Sequence, residues 1–227
     1  MKYEDFRDRW HKALKGAFRE VPLHIDPKER IDLNSMDRIY ELVLIFGTQP
    51  RFEPFYTFIS LKWEWDVVFS ARYATTEEDM LMQIFGDFGI HEDTAPPRLR
   101  MDVCLTASVP HESIFPIPEL KQWLHWVKTA SSHLQEILPT SYEDEGFISS
   151  YSGEIDAPVR VLDDGRFYLN KLSFEAWQMV PLPRQWDDPD KCDPDPDEAL
   201  MDFAHRIAKS LTVWEDSLVH LVEYEAE

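Results

Sequence analysis

The sequence has little glycine, little cysteine and no nucleophile motif, and each shortage excludes a class of site. Its seven Gly form neither a GxGxxG nor a P-loop pattern, so phosphate cradles of those two kinds are excluded. No GxSxG pattern marks a nucleophile elbow. The two cysteines, Cys104 and Cys192, belong to no CxxC pair and no zinc spacing. A single disulfide between them stays open, but we expect reduced thiols and an intracellular protein.

Long apolar runs and positive charge are also scarce. No apolar stretch approaches the roughly 18 residues of a membrane-spanning helix, and residues 1–7 lack the apolar region of a signal peptide. Lys and Arg number 23 against 43 Asp and Glu, a formal net charge of −20. Nucleic acid and anionic membranes attract basic surfaces, so direct binding to either is disfavoured. We expect a cytoplasmic protein whose acidity suits solubility or a basic protein partner.

The strongest pattern that the sequence does contain is helical and runs from Pro196 to Glu223. Apolar residues recur there at alternating intervals of four and three positions, which places them on one side of a helix. Asp195 can cap this helix, Pro196 suits its first position and Glu198 completes a capping box. We predict one long helix that turns its apolar stripe to the core. The stripe consists of Leu200, Ala204, Ile207, Leu211, Trp214, Leu218 and Leu221.

Three further helices are predicted near residues 3–19, 75–86 and 118–138. In the first, Phe6 and Trp10 are expected to point inward. In the last, Trp126 is expected on the flank of the apolar stripe. The residues of that helix expected to face the core are Leu120, Trp123, Leu124, Val127, Leu134 and Leu138.

Three segments predict strands. Residues 38–46 are almost continuously apolar, which favours a strand covered on both faces. Residues 56–66 and 98–108 alternate between apolar and polar, which favours strands with one polar face. The Asp164-Gly165 pair predicts a type I′ hairpin. We predict a single α+β domain over residues 1–227, with a mainly antiparallel sheet and helices packed on one face.

Residues 186–198, which we term the acidic segment, are rich in Asp and Pro. Asp195, Asp197 and Glu198 suit the start of the following helix electrostatically. A calcium loop counted from Asp193 fails because it requires Gly at position 198 and Glu at position 204. For the remaining acids, one interpretation is a solvated loop that binds no partner. The other interpretation is a contact with a basic partner, in which aromatic anchors lie beside acids. The candidate contacts are Trp126, Trp186, Asp187, Asp188, Asp190 and Asp193.

Tight groupings of histidine with acids occur at residues 91–93 and 111–112. Neither continues as HExxH, since Ala95 and Phe115 stand where the second His is needed. We expect no catalytic site, no metal and no cofactor. The alternative from the enzyme class is a metal-assisted hydrolase that uses His91, Asp93, His111 and Glu112, and a third hypothesis is a structural or regulatory subunit of a larger assembly. The histidines expected to be ordinary surface groups are His125, His133, His205 and His220.

Three segments carry a resemblance: Trp63-Glu64-Trp65-Asp66, Ala74-Thr75-Thr76-Glu77-Glu78-Asp79 and Trp186-Asp187-Asp188-Pro189-Asp190. They are similar to segments of small bacterial proteins, and in general character the chain resembles the immunity proteins of bacterial toxin systems. The resemblance is one of type and transfers no binding residue. It implies a non-enzymatic protein that neutralises a basic toxin, for example a nuclease, by occluding the toxin's active site.

Overall fold

The computed structural model describes residues 3–31, 38–65, 98–111, 113–117, 119–139, 153–181 and 196–223. Several predictions fall on other parts of the chain. The helix at 75–86, the Asp195 cap, Cys192 and the candidate contacts from Trp186 to Asp193 all lie outside the described residues.

Two groups of strands separate three helices along the described chain. The helices are α1 (Tyr3–Ala17), α2 (Leu120–Ile137) and α3 (Pro196–Glu223), and a 3₁₀ turn covers Pro50–Phe52. The strands are β1 (Lys28–Ile31), β2 (Arg38–Thr48), β3 (Tyr56–Trp65), β4 (Arg98–Ser108), β5 (Phe115–Ile117), β6 (Ile155–Asp156), β7 (Arg160–Val161), β8 (Phe167–Leu169) and β9 (Lys171–Pro181).

The strands form two sheets, one in the order β1-β2-β3-β4-β9-β6 and the other in the order β5-β8-β7. The pairs β1–β2, β9–β6, β5–β8 and β8–β7 are antiparallel. The predicted α+β class with a mainly antiparallel sheet is therefore confirmed.

The Cα positions divide the chain into two compact units. The first unit contains Met1–Leu42, Leu61–Met101 and Met179–His205, and the second contains Val43–Ser60, Asp102–Gln178 and Arg206–Glu227. Each unit combines three separate stretches of sequence. One domain over residues 1–227 stays a prediction.

The core of the first unit is an aromatic cluster between α1 and strands β2 and β3. Trp63 stacks on Tyr40 with ring centroids 3.4 Å apart, and it meets Phe6 at 5.4 Å and Trp10 at 6.1 Å in edge-on contacts. Trp10 also stacks on Phe203 at 5.8 Å. None of these five side chains is more than 1% exposed. The inward side predicted for the first helix is thus confirmed at Phe6 and Trp10.

The predicted alternation of β3 is confirmed, whereas the coverage predicted for β2 is wrong. In β3, Trp63 and Trp65 are buried and Glu64 between them is exposed. In β2, however, Val43 is 53% exposed and Ile45 is 75% exposed. β-branched residues favour strands whether or not both faces are covered. The apolar run of residues 38–46 therefore indicated a strand correctly but did not indicate its burial.

The predicted bounds of helix α3 and its predicted buried face are both confirmed. It begins at Pro196 and ends at Glu223. All seven residues of the predicted stripe are at most 8% exposed. His205 and His220 lie on its exposed side, as predicted.

The helix α2 exists as predicted but presents a different face. Leu120 and Leu124 are 41% and 59% exposed, so the prediction that they face the core is wrong. Trp126, predicted on the flank, is only 7% exposed, and its ring stacks on Trp123 with centroids 5.2 Å apart. The indole N–H of Trp126 donates to the backbone carbonyl of Ser217 at 2.8 Å. This hydrogen bond requires Trp126 to point inward, which rotates Leu120 and Leu124 outward.

The hairpin at residues 160–169 is confirmed, but its turn differs from the prediction. The amide of Gly165 donates to the carbonyl of Leu162 at 2.9 Å, and the amide of Leu162 donates to the carbonyl of Arg166 at 2.8 Å. These bonds enclose three loop residues, with Gly165 at a φ of 85°. Such a loop is typical of a turn followed by a glycine bulge. The two-residue type I′ turn centred on Asp164-Gly165 is therefore wrong.

His11 on α1 is a half-buried titratable group in the first unit. Its Nε2 lies 3.0 Å from the hydroxyl of Tyr40. Burial lowers the pKa of His11 below its ordinary value, and the positive charge of Arg7 acts in the same direction. The nearby carboxylates of Asp8 and Glu29 oppose this shift.

We expect the free energy of unfolding to decrease as the pH falls below about 6.5, the ordinary pKa of an unfolded histidine. Between about pH 6.5 and the lower pKa of native His11, the unfolded chain binds a proton at this histidine and the native protein does not, so protonation favours unfolding. Above about pH 6.5, His11 is neutral in both states and does not lower the free energy of unfolding. The variant His11→Gln retains a hydrogen-bonding group and should lose this part of the pH dependence. Urea unfolding at about pH 8 and about pH 5.5 measures it, and an identical pH dependence in both proteins would contradict the assignment.

Candidate functional site

A groove of about 500 Å³ lies in the second unit between α2 and the last turns of α3. This size falls within the range of small-molecule sites, roughly 300–1,000 Å³. Its lining comes mostly from two neighbouring rows of α2, each with a spacing of four residues. One row is Lys121, His125, Thr129 and His133, and the other is Gln122, Trp126 and Ala130. Glu119, Ser217 and His220 complete the lining.

The floor of the groove is formed by buried and hydrogen-bonded groups. Trp126 and Ala130 are buried, and the indole N–H of Trp126 donates a hydrogen bond to the Ser217 carbonyl. The Ser217 hydroxyl in turn donates to the carbonyl of Val213 at 2.8 Å, within α3. Since the floor groups already have hydrogen-bond partners, the floor offers a ligand mainly apolar surface.

The rim of the groove is rich in nitrogen donors. Lys121, His125 and His133 are exposed along α2, and His220 is exposed on α3. The Nδ1 of His220 lies 3.7 Å from the Oε2 of Glu223. The prediction that these histidines are surface groups is confirmed, but the sequence did not indicate that His125 and His133 share a groove with His220. The four-residue spacing from Lys121 to His133 is the signal that could have suggested it.

A narrower apolar slot adjoins this groove and shares Glu119, Gln122 and Trp126 with it. Its other walls are apolar side chains of β5, α2 and α3, namely Phe115, Ile117, Trp123 and Leu221. All four are buried. The slot has a volume of only about 20 Å³, room for about one water molecule, so it is a narrow crevice beside the groove.

A buried carboxylate elsewhere in the second unit was missed by the sequence reasoning. Glu215 of α3 is 6% exposed. Its carboxylate accepts from the Arg51 guanidinium at 3.1 Å, from the Thr57 hydroxyl at 3.1 Å and from the Gln49 amide at 3.5 Å. The other end of Arg51 reaches Asp216 at 2.7 Å. These bonds anchor the 3₁₀ turn and the start of β3 to α3, which indicates a structural role.

Cys104 of β4 has the properties of an unreactive thiol. Its Sγ lies 3.5 Å from the Thr106 hydroxyl and 3.8 Å from a Glu175 carboxylate oxygen. Burial raises the pKa of the Cys104 thiol, and the Glu175 charge adds to this effect. The thiolate is the nucleophilic form, so both influences disfavour nucleophilic chemistry here.

Of the residues predicted to contact a partner, Trp126 is the one that lies in the described part of the chain. Its inward position corrects the flank predicted for it, and its part in partner binding stays a prediction. Of the residues in the hydrolase alternative, His111 is exposed and the others lie outside the described residues. Within the described ranges, no cluster of three or more His, Cys, Asp or Glu could hold a metal ion. The hydrolase and the assembly subunit both stay predictions.

No helix in the part of the chain that the structure describes combines the length and apolarity needed to cross a membrane. No family model, curated protein or solved structure matches the chain. The resemblance to toxin-immunity proteins accordingly stays a prediction.

Proposed function

We propose that the protein is a non-enzymatic acidic binding protein whose partner is a basic protein in the cytoplasm. In finer terms, we propose an immunity protein that blocks a basic bacterial toxin such as a nuclease. The observation that carries the proposal is the net charge of −20, together with its concentration in short runs of sequence.

The acids of the sequence cluster in short runs such as 77–79, 143–145 and 187–193. Like charges that are close together in sequence produce a stronger local potential than the same charges spread evenly. Among the described residues, several acids are instead in ion pairs, for example Glu4 with Arg38 at 2.9 Å and Asp197 with Arg9 at 2.6 Å. The clustering of the acids supports a surface that contacts a basic partner.

The proposed mechanism combines electrostatic steering with occlusion. Clustered negative charge raises the association rate with a basic protein. The acids of the acidic segment would face the basic substrate groove of the toxin, and Trp186 would supply an aromatic anchor. Aromatic anchors dominate the binding energy of many interfaces because they bury a large area at a low cost in conformational entropy. Occlusion requires no chemistry from the protein itself.

We expect a variant with Asn at Asp187, Asp188, Asp190 and Asp193 to bind the partner at least about tenfold more weakly, because the steering charge is removed. The tagged protein would capture its partner from an extract of the source cells, and calorimetry with the purified partner would measure both affinities.

The control variant carries Asn at four exposed carboxylates of the described chain: Asp5, Asp26, Asp156 and Asp163. It changes the net charge by the same amount and should bind within about twofold of the original protein. If both variants lost affinity for the partner equally, the acidic segment would not be part of the interface. A partner without a basic surface would refute the proposed function itself.

A further inference from the structure

The groove between α2 and α3 has a composition that a basic partner does not require. Its rim offers Lys121, His125, His133 and His220, and Glu119 is the one carboxylate among its described lining residues. With the histidines neutral, the charges of Lys121 and Glu119 balance, so the described lining has no formal net charge in a chain whose formal net charge is −20. We propose that the groove binds a small organic anion with an apolar portion, such as an aromatic or aliphatic carboxylate or sulfonate.

The arrangement of the rim fits an anionic group. Lys121, His125 and His133 lie in one row of α2, so their side chains project to the same side of the helix. Lys carries a permanent positive charge at neutral pH, and imidazole donates a hydrogen bond when neutral and gains charge when protonated. The carboxylate of Glu223 beside His220 is the acid opposite this row on α3. A ligand anion would therefore bind nearer the α2 side of the groove.

The apolar portion of the ligand has a surface to contact within the groove itself. The floor is formed by Trp126 and Ala130, whose side chains are buried. Trp126 donates to Ser217 and stacks on Trp123, so the apolar floor is formed by packed groups of the protein without a ligand. A preformed apolar site with a few polar groups at its edge is typical of small-molecule sites.

Other occupants fit less well. A metal ion cannot bridge His125 and His133, which lie eight residues apart and hence about 12 Å along the helix. Nucleic acid would have to approach a chain with a strong negative charge, which opposes binding. The limited volume favours a small molecule over an acidic polypeptide.

Two dyes that share a ring system test the proposal on the full chain. 8-Anilino-1-naphthalenesulfonate is anionic, and N-phenyl-1-naphthylamine has the same aromatic rings without the sulfonate. We expect the anionic dye to bind saturably at one site, more tightly than the neutral dye. Lys121→Gln should weaken binding of the anionic dye roughly tenfold and leave the affinity for the neutral dye unchanged. Lys128→Gln, on the same helix outside the groove, is the matched control and should have no effect.

A second pair of variants tests the location. Thr129 is exposed and lines the groove, so Thr129→Phe should fill it and abolish saturable binding of both dyes. Ser132 is exposed on the same helix outside the groove, so Ser132→Phe should leave binding intact. Equal affinity for the two dyes, or binding that survives Thr129→Phe in a folded protein, would overturn the proposal. Loss of dye binding in Thr129→Phe alone would leave partner capture through the acidic segment unaffected, so the two proposals fail independently.

NMR supplies an independent readout. Adding the anionic dye should shift the imidazole resonances of His125, His133 and His220 and leave that of His11 in place. A uniform shift of all these signals, or no shift, would place the dye elsewhere and reject the groove.

Discussion

Replacing Trp63 by alanine is expected to lower the free energy of unfolding by about 3–5 kcal/mol. Trp63 is 1% exposed and contacts Tyr40, Phe6 and Trp10 at once. The substitution removes one of the two largest side chains of the cluster, and the remaining rings cannot collapse fully into the space. Typical total stabilities are about 5–15 kcal/mol, so much of the native stability would be lost. Urea unfolding followed by circular dichroism measures the change.

Two controls separate this cavity effect from other causes. Trp63→Phe keeps an aromatic ring in the cluster and removes an indole N–H that has no hydrogen-bond partner among the described residues. Its cost should be well below that of alanine, about 1–2 kcal/mol. Glu64→Ala lies next along β3 on the exposed face, where its ion pair with Lys62 should contribute less than about 1 kcal/mol. A loss below about 1 kcal/mol for Trp63→Ala would contradict the proposed core.

The second large effect is expected at Glu215, where alanine should cost about 2–3 kcal/mol because a buried hydroxyl loses its acceptor. The carboxylate is 6% exposed and accepts hydrogen bonds from Arg51, Thr57 and Gln49. Removing it leaves the buried Thr57 hydroxyl without this acceptor, whereas Arg51 is 44% exposed and keeps Asp216. Unfolding in guanidinium chloride, with intrinsic fluorescence as the probe, would give the value.

The adjacent carboxylate provides a matched comparison for Glu215. Asp216 binds the same Arg51 at 2.7 Å, but its side chain is 55% exposed. Asp216→Ala should therefore cost less than about 1 kcal/mol, since water replaces the lost partner. If the two alanine variants were equally stable, burial would not be the source of the Glu215 contribution.

The difference between α3 and α2 shows what the sequence can predict about a helix. In α3, seven apolar residues leave only one rotation that buries them all, and this rotation is observed. In α2, the buried face includes Ala130, which is only weakly apolar, and the polar Ser131, whereas the strongly apolar Leu120 and Leu124 are exposed. The rotation is decided by the contact between Trp126 and Ser217, which lie 91 positions apart. Local periodicity contains no information on such a partner.

The groove and the Glu215 network also depend on partners that are distant in sequence, so local patterns do not predict them. Glu215 lies beside the stripe residue Trp214, and a carboxylate there is normally a solvated edge of the helix. Its partners Thr57 and Arg51 are 158 and 164 positions away. The groove likewise depends on which helix packs beside α2. The strand alternation of β3, by contrast, depends only on neighbouring residues, and it was predicted correctly.

The association rate constant with the captured partner, measured by stopped flow across ionic strength, tests the central claim most directly. If the surplus acids form a surface for a basic partner, the rate constant should fall at least about tenfold between roughly 50 and 500 mM NaCl, while the dissociation rate changes little. The variant with Asn at Asp187, Asp188, Asp190 and Asp193 should show a shallower dependence. A rate constant that is independent of salt in the original protein would contradict the account.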